Sequence, residues 1–492
     1  MSSTVRILLA LLLTVTCLIC SRASSQTFTT LASFDTTDGT LPATPLVQGV
    51  NGNLYGTTPL GGQHGMGVVF EVTPSGTLIL VYSFCSRSNC SDGFDPNAAL
   101  VVGANGNLYG TTTAGGAYCP GDLNLGCGTV FEITPAGKLT TLYKFCAVRS
   151  SCTDGAYPEA RLLLGSDGNF YGTTYQGGAN GSGTVFKITP TGKLTTLYSF
   201  CSLSNCADGE YPITGVVESN GKFYGTTYDG GTALCPFFNN TFGCGTIFSI
   251  TSQGALTTLY NFGTDAGLLQ APLAVGNNGK LYGTSADGGT GNCNYGCGTV
   301  FDITPTGAFT TLYSFCTKGT NYCPDGAYPI ADVVQATDGN LYGTTETGGD
   351  GGGGTIFNVT SQGAVATLYS LTPSDGYMSE GGLLQATDGN LYGTTNGGGT
   401  PNQGTVFRFS MGLAPFVEPV PTGGRVGARV LILGNNLTGT TSVSFNGTSA
   451  QFSVVSNTEL TTTVPTGATS GTISVVTPSG TLGSDVKFRV IP

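Results

Sequence analysis

The sequence has no tryptophan and a single histidine among 492 residues, and only 9% of its residues are charged. That histidine, His64, sits in the glycine-rich stretch GGQHGMG with no base-orienting partner in view. A Ser/His/Asp set could be assembled only around it, and a solvated surface residue is the simpler reading. The missing tryptophan removes the largest sugar-stacking side chain and leaves that work to tyrosines such as Tyr175 and Tyr228. The glycine clusters at Gly61 and Gly351 are followed by neither a helix nor Lys-Ser/Thr, which excludes a phosphate loop.

Basic residues are scarce as well. Without Arg6 and Arg22, which fall in an N-terminal leader, 15 basic residues face 28 acidic ones, a net charge near −13. Nucleic acids and anionic membrane surfaces reward clustered Lys and Arg, so both are disfavoured as partners. Residues 1–25 read as a secretory signal: Arg6 supplies the positive start, Ile7 to Ile19 the apolar run, and Ala23-Ser24-Ser25 the cleavage site. The run is short of the ~20 residues that span a bilayer. Neither Cys17 nor Cys20 has the preceding small residues of a lipoprotein signal. The expected product is secreted, periplasmic or at the cell surface, without a transmembrane segment.

What the chain has in abundance is glycine, 79 residues, beside 39% apolar residues. Turn-rich all-β structure satisfies both. The stretch NGNLYGTT at Asn51 returns at Asn105, Asp167, Asn220, Asn278, Asp338 and Asp388 with small changes. Each copy is followed by GVVF, GTVF or GTIF, and most then by TTLY and a Phe. The unit from Ala99 to Phe145 reads as four antiparallel strands joined by NG and TPxG turns, with the NG or DG pair as a two-residue hairpin loop. Large residues on both strand faces require neighbouring units to stack. The seventh unit, Leu383 to Phe409, lacks a fourth strand, and Phe28 to Phe34 (FTTLASF) supplies a matching one at the other terminus. The expected fold is therefore a seven-bladed β-propeller closed by that N-terminal strand.

The YGTT and GTVF signatures resemble the Gloeo/Verruco tandem repeat of exported bacterial proteins, over roughly residues 27 to 410. The resemblance implies an envelope or secreted protein and carries no catalytic residues with it. Beyond Ala414, Gly427, Val430 to Gly434, the FNG at Phe445, Val464-Pro465 and Gly471 resemble the IPT/TIG immunoglobulin-like fold, a small β-sandwich used as spacer or adhesion element. The expected division is a signal at 1–25, the repeat body at 26–411, a linker at 412–420 and the sandwich at 421–492.

Fourteen cysteines beyond the leader form seven close pairs: Cys85/Cys90, Cys119/Cys127, Cys146/Cys152, Cys201/Cys206, Cys235/Cys244, Cys293/Cys297 and Cys316/Cys323. In an exported chain these read as disulfides; their irregular spacing and the single histidine argue against zinc. Strand parity places all of them in the longer connections at one end of the units, opposite the NG and TPxG turns. The same end carries a recurring Asp: Asp38, Asp92, Asp154, Asp208, Asp265, Asp325 and Asp375. These could ring a calcium ion, yet their recurrence in every unit suits turn formation better. Residues that break the repeat are His64, Arg87, Arg149, Arg161, Glu210, Lys318 and Glu346.

Two functions fit. The first is a binding or adhesion scaffold, rather than an enzyme, whose stapled loops contact an extracellular polysaccharide or protein without a cofactor. The alternative is a polysaccharide hydrolase or lyase using paired carboxylates about 5 to 10 Å apart on the long-loop face. Non-repeated carboxylates converging on a pocket there would favour the enzyme.

Overall fold

The computed structural model describes residues 26–116, 119, 126–146, 152–233, 235, 243–263, 266–267, 269–317 and 323–491. The signal segment, Arg149, Asp265 and Lys318 lie outside the described residues.

The third repeat shows how the unit is built. Strands Leu163–Leu164, Phe170–Thr174, Thr184–Ile188 and Leu194–Ser199 pair antiparallel in chain order. The second and third strands are almost wholly buried. The fourth carries a bulge where Val185 and Phe186 shift register, and the same bulge recurs in the five other repeats that supply their own fourth strand.

The first turn departs from expectation. Gly168 N–H bonds to the Gly165 carbonyl at 2.9 Å and Gly168 has φ +78°, while Asp167 keeps a negative φ and its carboxylate accepts the Asn169 N–H at 3.0 Å. This is a four-residue turn with a left-handed glycine rather than a two-residue loop. Only the fourth repeat has the two-residue form, with Ser219 paired to Lys222 and both Asn220 (φ 51°) and Gly221 (φ 78°) left-handed.

The glycine of YGTT has a packing role. Gly172 lies directly across from Phe186, and a Cβ there would meet the Phe186 ring at 2.6 Å and Leu162 at 2.9 Å. The GTVF phenylalanine therefore lies over the YGTT glycine in every repeat. We expect Gly172→Ala to cost about 1–3 kcal/mol by overpacking. Urea unfolding measures it, and Phe186→Leu in the same chain should recover part of the loss.

The N-terminal strand, Thr27–Ser33, pairs antiparallel with Thr405–Ser410 and completes the seventh sheet. The expectation of a closed seven-bladed β-propeller is nevertheless corrected. The described strands form separate four-stranded sheets and two two-stranded ones, and no sheet closes on itself into a barrel or propeller. The reason lies in the edges: each repeat begins with a strand of two or three residues and ends on a bulged one, so the ladder stops within the repeat. Side chains join neighbours instead. Thr57, Thr111, Thr173, Thr284 and Thr344 each donate to a carbonyl of the following repeat at 2.8 to 3.2 Å, and Thr394 of the seventh repeat donates to Thr44 of the first at 3.2 Å.

Past Ser410 two further four-stranded sheets enclose their own apolar core, including Val430, Ile432, Val443, Phe445, Leu460 and Val475. Val420, Leu431 and Leu433 belong instead to the apolar cluster of the first three repeats, so this C-terminal unit is packed onto the repeat body.

Candidate functional site

The recurring aspartates, Asp265 aside, are turn residues. Asp92 Oδ2 accepts hydrogen bonds from Tyr82, from the Ser86 hydroxyl and from the Ser86 N–H at 2.8 to 3.0 Å. Asp208 repeats this with Tyr198 and Ser202, Asp154 bonds Tyr143, Asp325 bonds Tyr313, Asp375 bonds Tyr369 and Thr372, and Asp38 accepts the Asp35 N–H. Among the described residues, no group of three or more ligand atoms able to hold a metal includes any of them. His64 is exposed, in a loop of the first repeat.

The cysteines pair as disulfides beside these turns: Cys85–Cys90, Cys119–Cys127, Cys146–Cys152, Cys201–Cys206, Cys235–Cys244, Cys293–Cys297 and Cys316–Cys323, closing loops of four to nine residues. The picture of staples on open loops is corrected at Cys90 and Cys244. Cys90 ends a short 3-10 turn, Ser88–Cys90, with φ 46°, and its carbonyl accepts the Gly93 and Gly116 N–H groups at 2.9 and 3.0 Å. A loop this tight must satisfy its own backbone groups, and the turn does so. Cys206 ends the equivalent turn, Ser204–Cys206, in the fourth repeat. Cys244 is buried and forms a parallel bridge with Gly230, because the chain is already drawn into the sheet ahead of Thr246–Ile250. Cys244 thus anchors structure beneath the surface, while Cys90 stays partly exposed.

A cavity of about 120 Å³ is lined by the corresponding segment of all seven repeats, the residues just before each short first strand. Where the other repeats place uncharged side chains there, the third places Glu159 and Arg161, the sixth Asp332 and the seventh Glu380. These break the repeat within a single cavity, which a role in turn formation would not require.

The backbone leading into the cavity is strained at a fixed place. Leu41, Asp95, Tyr157, Tyr211, Tyr328 and Met378 occupy equivalent positions with φ between 55° and 59°. Left-handed backbone costs a non-glycine residue about 1–2 kcal/mol. Two hydrogen bonds hold it: in the fourth repeat Tyr211 N–H reaches the Ser182 carbonyl at 2.9 Å, and Tyr228 N–H reaches the Tyr211 carbonyl at 3.1 Å. The cavity residue follows two positions later, as with Glu159 after Tyr157 and Glu380 after Met378. The scaffold is thus constant while the side chains it presents differ.

Carboxylates gather around these positions. Burial, reinforced by Asp95, pushes the Glu159 carboxyl up to about 7. Glu210 and Asp229 face each other across an antiparallel bridge, exchanging both backbone hydrogen bonds at 2.9 and 3.2 Å. Such a pair stands about 5.5 Å apart at Cα, and like charges directly opposite are destabilising. Burial, and then Glu210, raise Asp229 to about 6. Burial also raises Glu210, against a Ser182 hydroxyl at 3.4 Å. Asp229 Oδ1 is buried without a hydrogen-bond partner, an uncompensated desolvation cost. Burial raises Glu346 and Glu380 too, and Glu380 adds to the shift of Glu346. Tyr175 is raised first by burial and then by Glu159, Tyr211, Asp229 and Glu210, and its ring lies 5.1 Å from that of Tyr211.

One ion pair crosses the cavity: Arg161 Nη1 lies 3.0 Å from Asp332 Oδ2, with the two side chains 32% and 11% exposed. Burial raises Asp332, and Arg161 opposes the shift. Gly382 leaves the space that Asp332 fills, since any Cβ there would collide with Oδ1. Arg161→Met would strand the Asp332 carboxylate. We expect a loss near 3 kcal/mol, the low end of about 3–5 for a broken buried pair because Arg161 is a third exposed. Arg161→Met with Asp332→Asn should recover most of it in the same urea titration.

Of the residues singled out in the sequence for breaking the repeat, Arg161, Glu210 and Glu346 belong to this region, while Arg87 donates to the Leu139 carbonyl at 3.1 Å. Glu159, Asp229, Asp332 and Glu380 were missed. The signal that finds them is positional: alignment of the repeats on the Asp-Gly turn puts each at a column that most repeats fill with an uncharged residue.

Solved structures with related architecture include a fungal alcohol oxidase of the AA5 family in complex with copper, 14% identical, with a TM-score of 0.48 over 95% of this chain and 99% of that one. A gluconolactonase from Xanthomonas campestris is 12% identical, with a TM-score of 0.36 over 80% of this chain and 92% of its own. The periplasmic gluconolactonase of Pseudomonas aeruginosa is 13% identical, with a TM-score of 0.41 over 67% and 87%. No curated protein matches significantly. These neighbours are described as enzymes. The site itself replaces the expectation of an adhesion scaffold: Glu159, Asp332 and Glu380 converge on one cavity at positions where the other repeats carry no acid. The model of the Gloeobacter/Verrucomicrobia repeat matches residues 18–239, 88–293 and 237–454, most of the chain, and the protein belongs to that repeat family.

Proposed function

We propose that the protein is an exported, carboxylate-dependent glycan hydrolase whose site is the acidic end of the seven-repeat cavity. The carrying observation is the Glu159 carboxyl, which is held in the cavity with its affinity for a proton raised to about 7 beside other carboxylates. Glycoside cleavage needs one carboxyl protonated and a second ionised, and environments that push two such groups apart assign the roles. Glu159 is the general acid: its proton passes to the glycosidic oxygen as the bond to the anomeric carbon breaks. The Glu210–Asp229 pair supplies the ionised partner, which stabilises the cationic sugar and either attacks it or takes a proton from the attacking water. Tyr175 and Tyr211 offer the aromatic surface on which the sugar rests.

On this reading residues 1–25 are a signal peptide, 26–411 the catalytic body, 412–420 a linker and 421–492 an IPT/TIG-like accessory unit. The reaction takes place outside the cytoplasm.

The pH dependence follows with a definite sign. Glu159 must be protonated, so turnover falls as pH rises through about 7. The ionised partner is lost below about 6 if Asp229 fills that role. A narrow bell centred between these values is expected. A polysaccharide panel scored for product release across pH tests the reading. Activity that keeps rising to pH 9, or binding without turnover on every glycan, contradicts it.

A further inference from the structure

We infer that the C-terminal unit seals one end of the seven-repeat cavity, making it a blind pocket that accepts glycan chain ends rather than a passage for chain interiors. The end-specificity rests on the hydrolase reading; the seal does not.

The cavity segments lead into the short first strands, and those strands run to the first turns. The C-terminal unit meets the turns repeat by repeat. Thr458 donates to the Val50 carbonyl of the first at 2.8 Å. Gly423 packs on Ser166 of the third, where a Cβ would lie 2.8 Å from the Ser166 Cβ. Arg489 pairs with Glu218 of the fourth at 2.8 Å, and Glu218 also receives the Ser166 N–H at 2.7 Å. Thr337 of the sixth donates to the Ala414 carbonyl at 3.4 Å, and Asn435 donates to Thr387 of the seventh at 2.7 Å. Over the third, fourth and fifth repeats the two parts enclose a cleft of about 710 Å³, lined by Leu163, Val217, Val275, Asn278 and Lys487 among others.

Contacts reaching the first, third, fourth, sixth and seventh repeats require the unit to straddle the end of the cavity those repeats share. It presents apolar side chains there: Val420, Leu431 and Leu433 share a cluster with Val50, Val101 and Val102. The unit thereby covers the turn end, and it bounds the cleft there on the outer side with Lys487, Arg489 and Val490. The raised carboxylates at Glu159 and Glu380 line the same cavity, so substrate enters from the loop side and stops. A polymer bound in this way offers its terminus to Glu159, and product leaves by the route of entry.

Two measurements separate the claims. Hydrogen exchange is read at the Thr337 and Thr387 amides, bonded to Gln385 and Gln48 of their neighbours at 2.9 Å. It should accelerate at least tenfold in full-length Asn435→Ala/Thr458→Ala/Arg489→Glu relative to the parent. Unchanged exchange, with the C-terminal unit shown displaced by fluorescence transfer, overturns the seal. For end-specificity, the parent is given linear and cyclic glucan oligomers of equal length together with the polymer. Release of short products from linear chains, cyclic ones resisting at least a hundredfold, and little early fall in viscosity are expected. Comparable cleavage of the cyclic oligomer overturns end-specificity while leaving the hydrolase reading intact. If the wider polysaccharide panel gives no turnover, the hydrolase reading and end-specificity fall together, and the exchange data still decide the seal.

Discussion

Replacing Glu159 by Gln should lower turnover by about 10²–10⁴-fold and remove the alkaline limb of the pH profile, while leaving the protein folded and, above pH 7, more stable than the parent. The stability change is what distinguishes this outcome from simple damage. In the unfolded chain Glu159 takes its ordinary value near 4.5, and in the folded protein it is raised to about 7. Between those values the folded state binds the extra proton, so the parent loses stability as pH rises through that window. Below pH 4.5 both states are protonated and the difference vanishes. Glutamine cannot ionise, so at pH 8 the variant escapes the cost, a gain of at most about 3–4 kcal/mol. Thermal melts at pH 4 and pH 8 measure it. Activity lost together with stability at both pH values would place Glu159 in the scaffold instead of the reaction.

The second large effect concerns the N-terminal strand. Deleting residues 26–34 should abolish cooperative folding of the repeat body. The loss removes every backbone bond from the outer edge of Thr405–Ser410. It also removes Phe28, which stacks on Tyr369 at 4.5 Å, and Phe34, fully buried against Phe70 at 4.9 Å. These rings reach the sixth and first repeats respectively, so the strand ties both neighbours to the seventh. Truncating one buried phenylalanine costs about 3–5 kcal/mol, and a whole domain is stable by only about 5–15. Phe34→Ala provides the graded version: it should fold with a lower denaturant midpoint and an unchanged slope. A deletion variant that melts like the parent would show that the seventh sheet stands without its borrowed strand.

These expectations draw unequally on the sequence. The four-strand unit was legible because three signatures recur at fixed order, and tight turns and apolar runs are local properties. The borrowed strand was legible because Phe28 to Phe34 repeats the very element the seventh unit lacks. The turn geometry was not: NG and DG suggested two left-handed residues, but the Asn or Asp side chain accepts the N–H two residues on and its own φ stays negative in all repeats except the fourth. Nor was the relation of the sheets to one another, since hydrogen-bond ladders that end within a repeat leave no mark on periodicity.

The site was harder still. The recurring aspartates attracted attention through repetition, and repetition is what turn chemistry produces. Asp332 stands alone in its column, Glu159 shares its column only with Glu380 and Asp229 only with Asp287, and nothing local distinguishes a carboxylate that enters a shared cavity from one in water. Only contacts between residues such as Arg161 and Asp332, far apart in the chain, bring the difference out. Cysteine placement was a partial guide, because the disulfides lie at the same end as the strained positions that present the carboxylates. Spacing could pair Cys85 with Cys90 and Cys235 with Cys244, but it could not show that Cys90 closes a helical turn or that Cys244 is drawn into the sheet.

The central claim is that Glu159 holds a proton near neutrality inside the cavity, and it can be read without knowing the substrate. In protein labelled with ¹³C at glutamate carboxyls, the resonance absent from Glu159→Gln identifies this residue. Its titration midpoint should lie near 7. A midpoint at the ordinary glutamate value of about 4.3 would contradict the account.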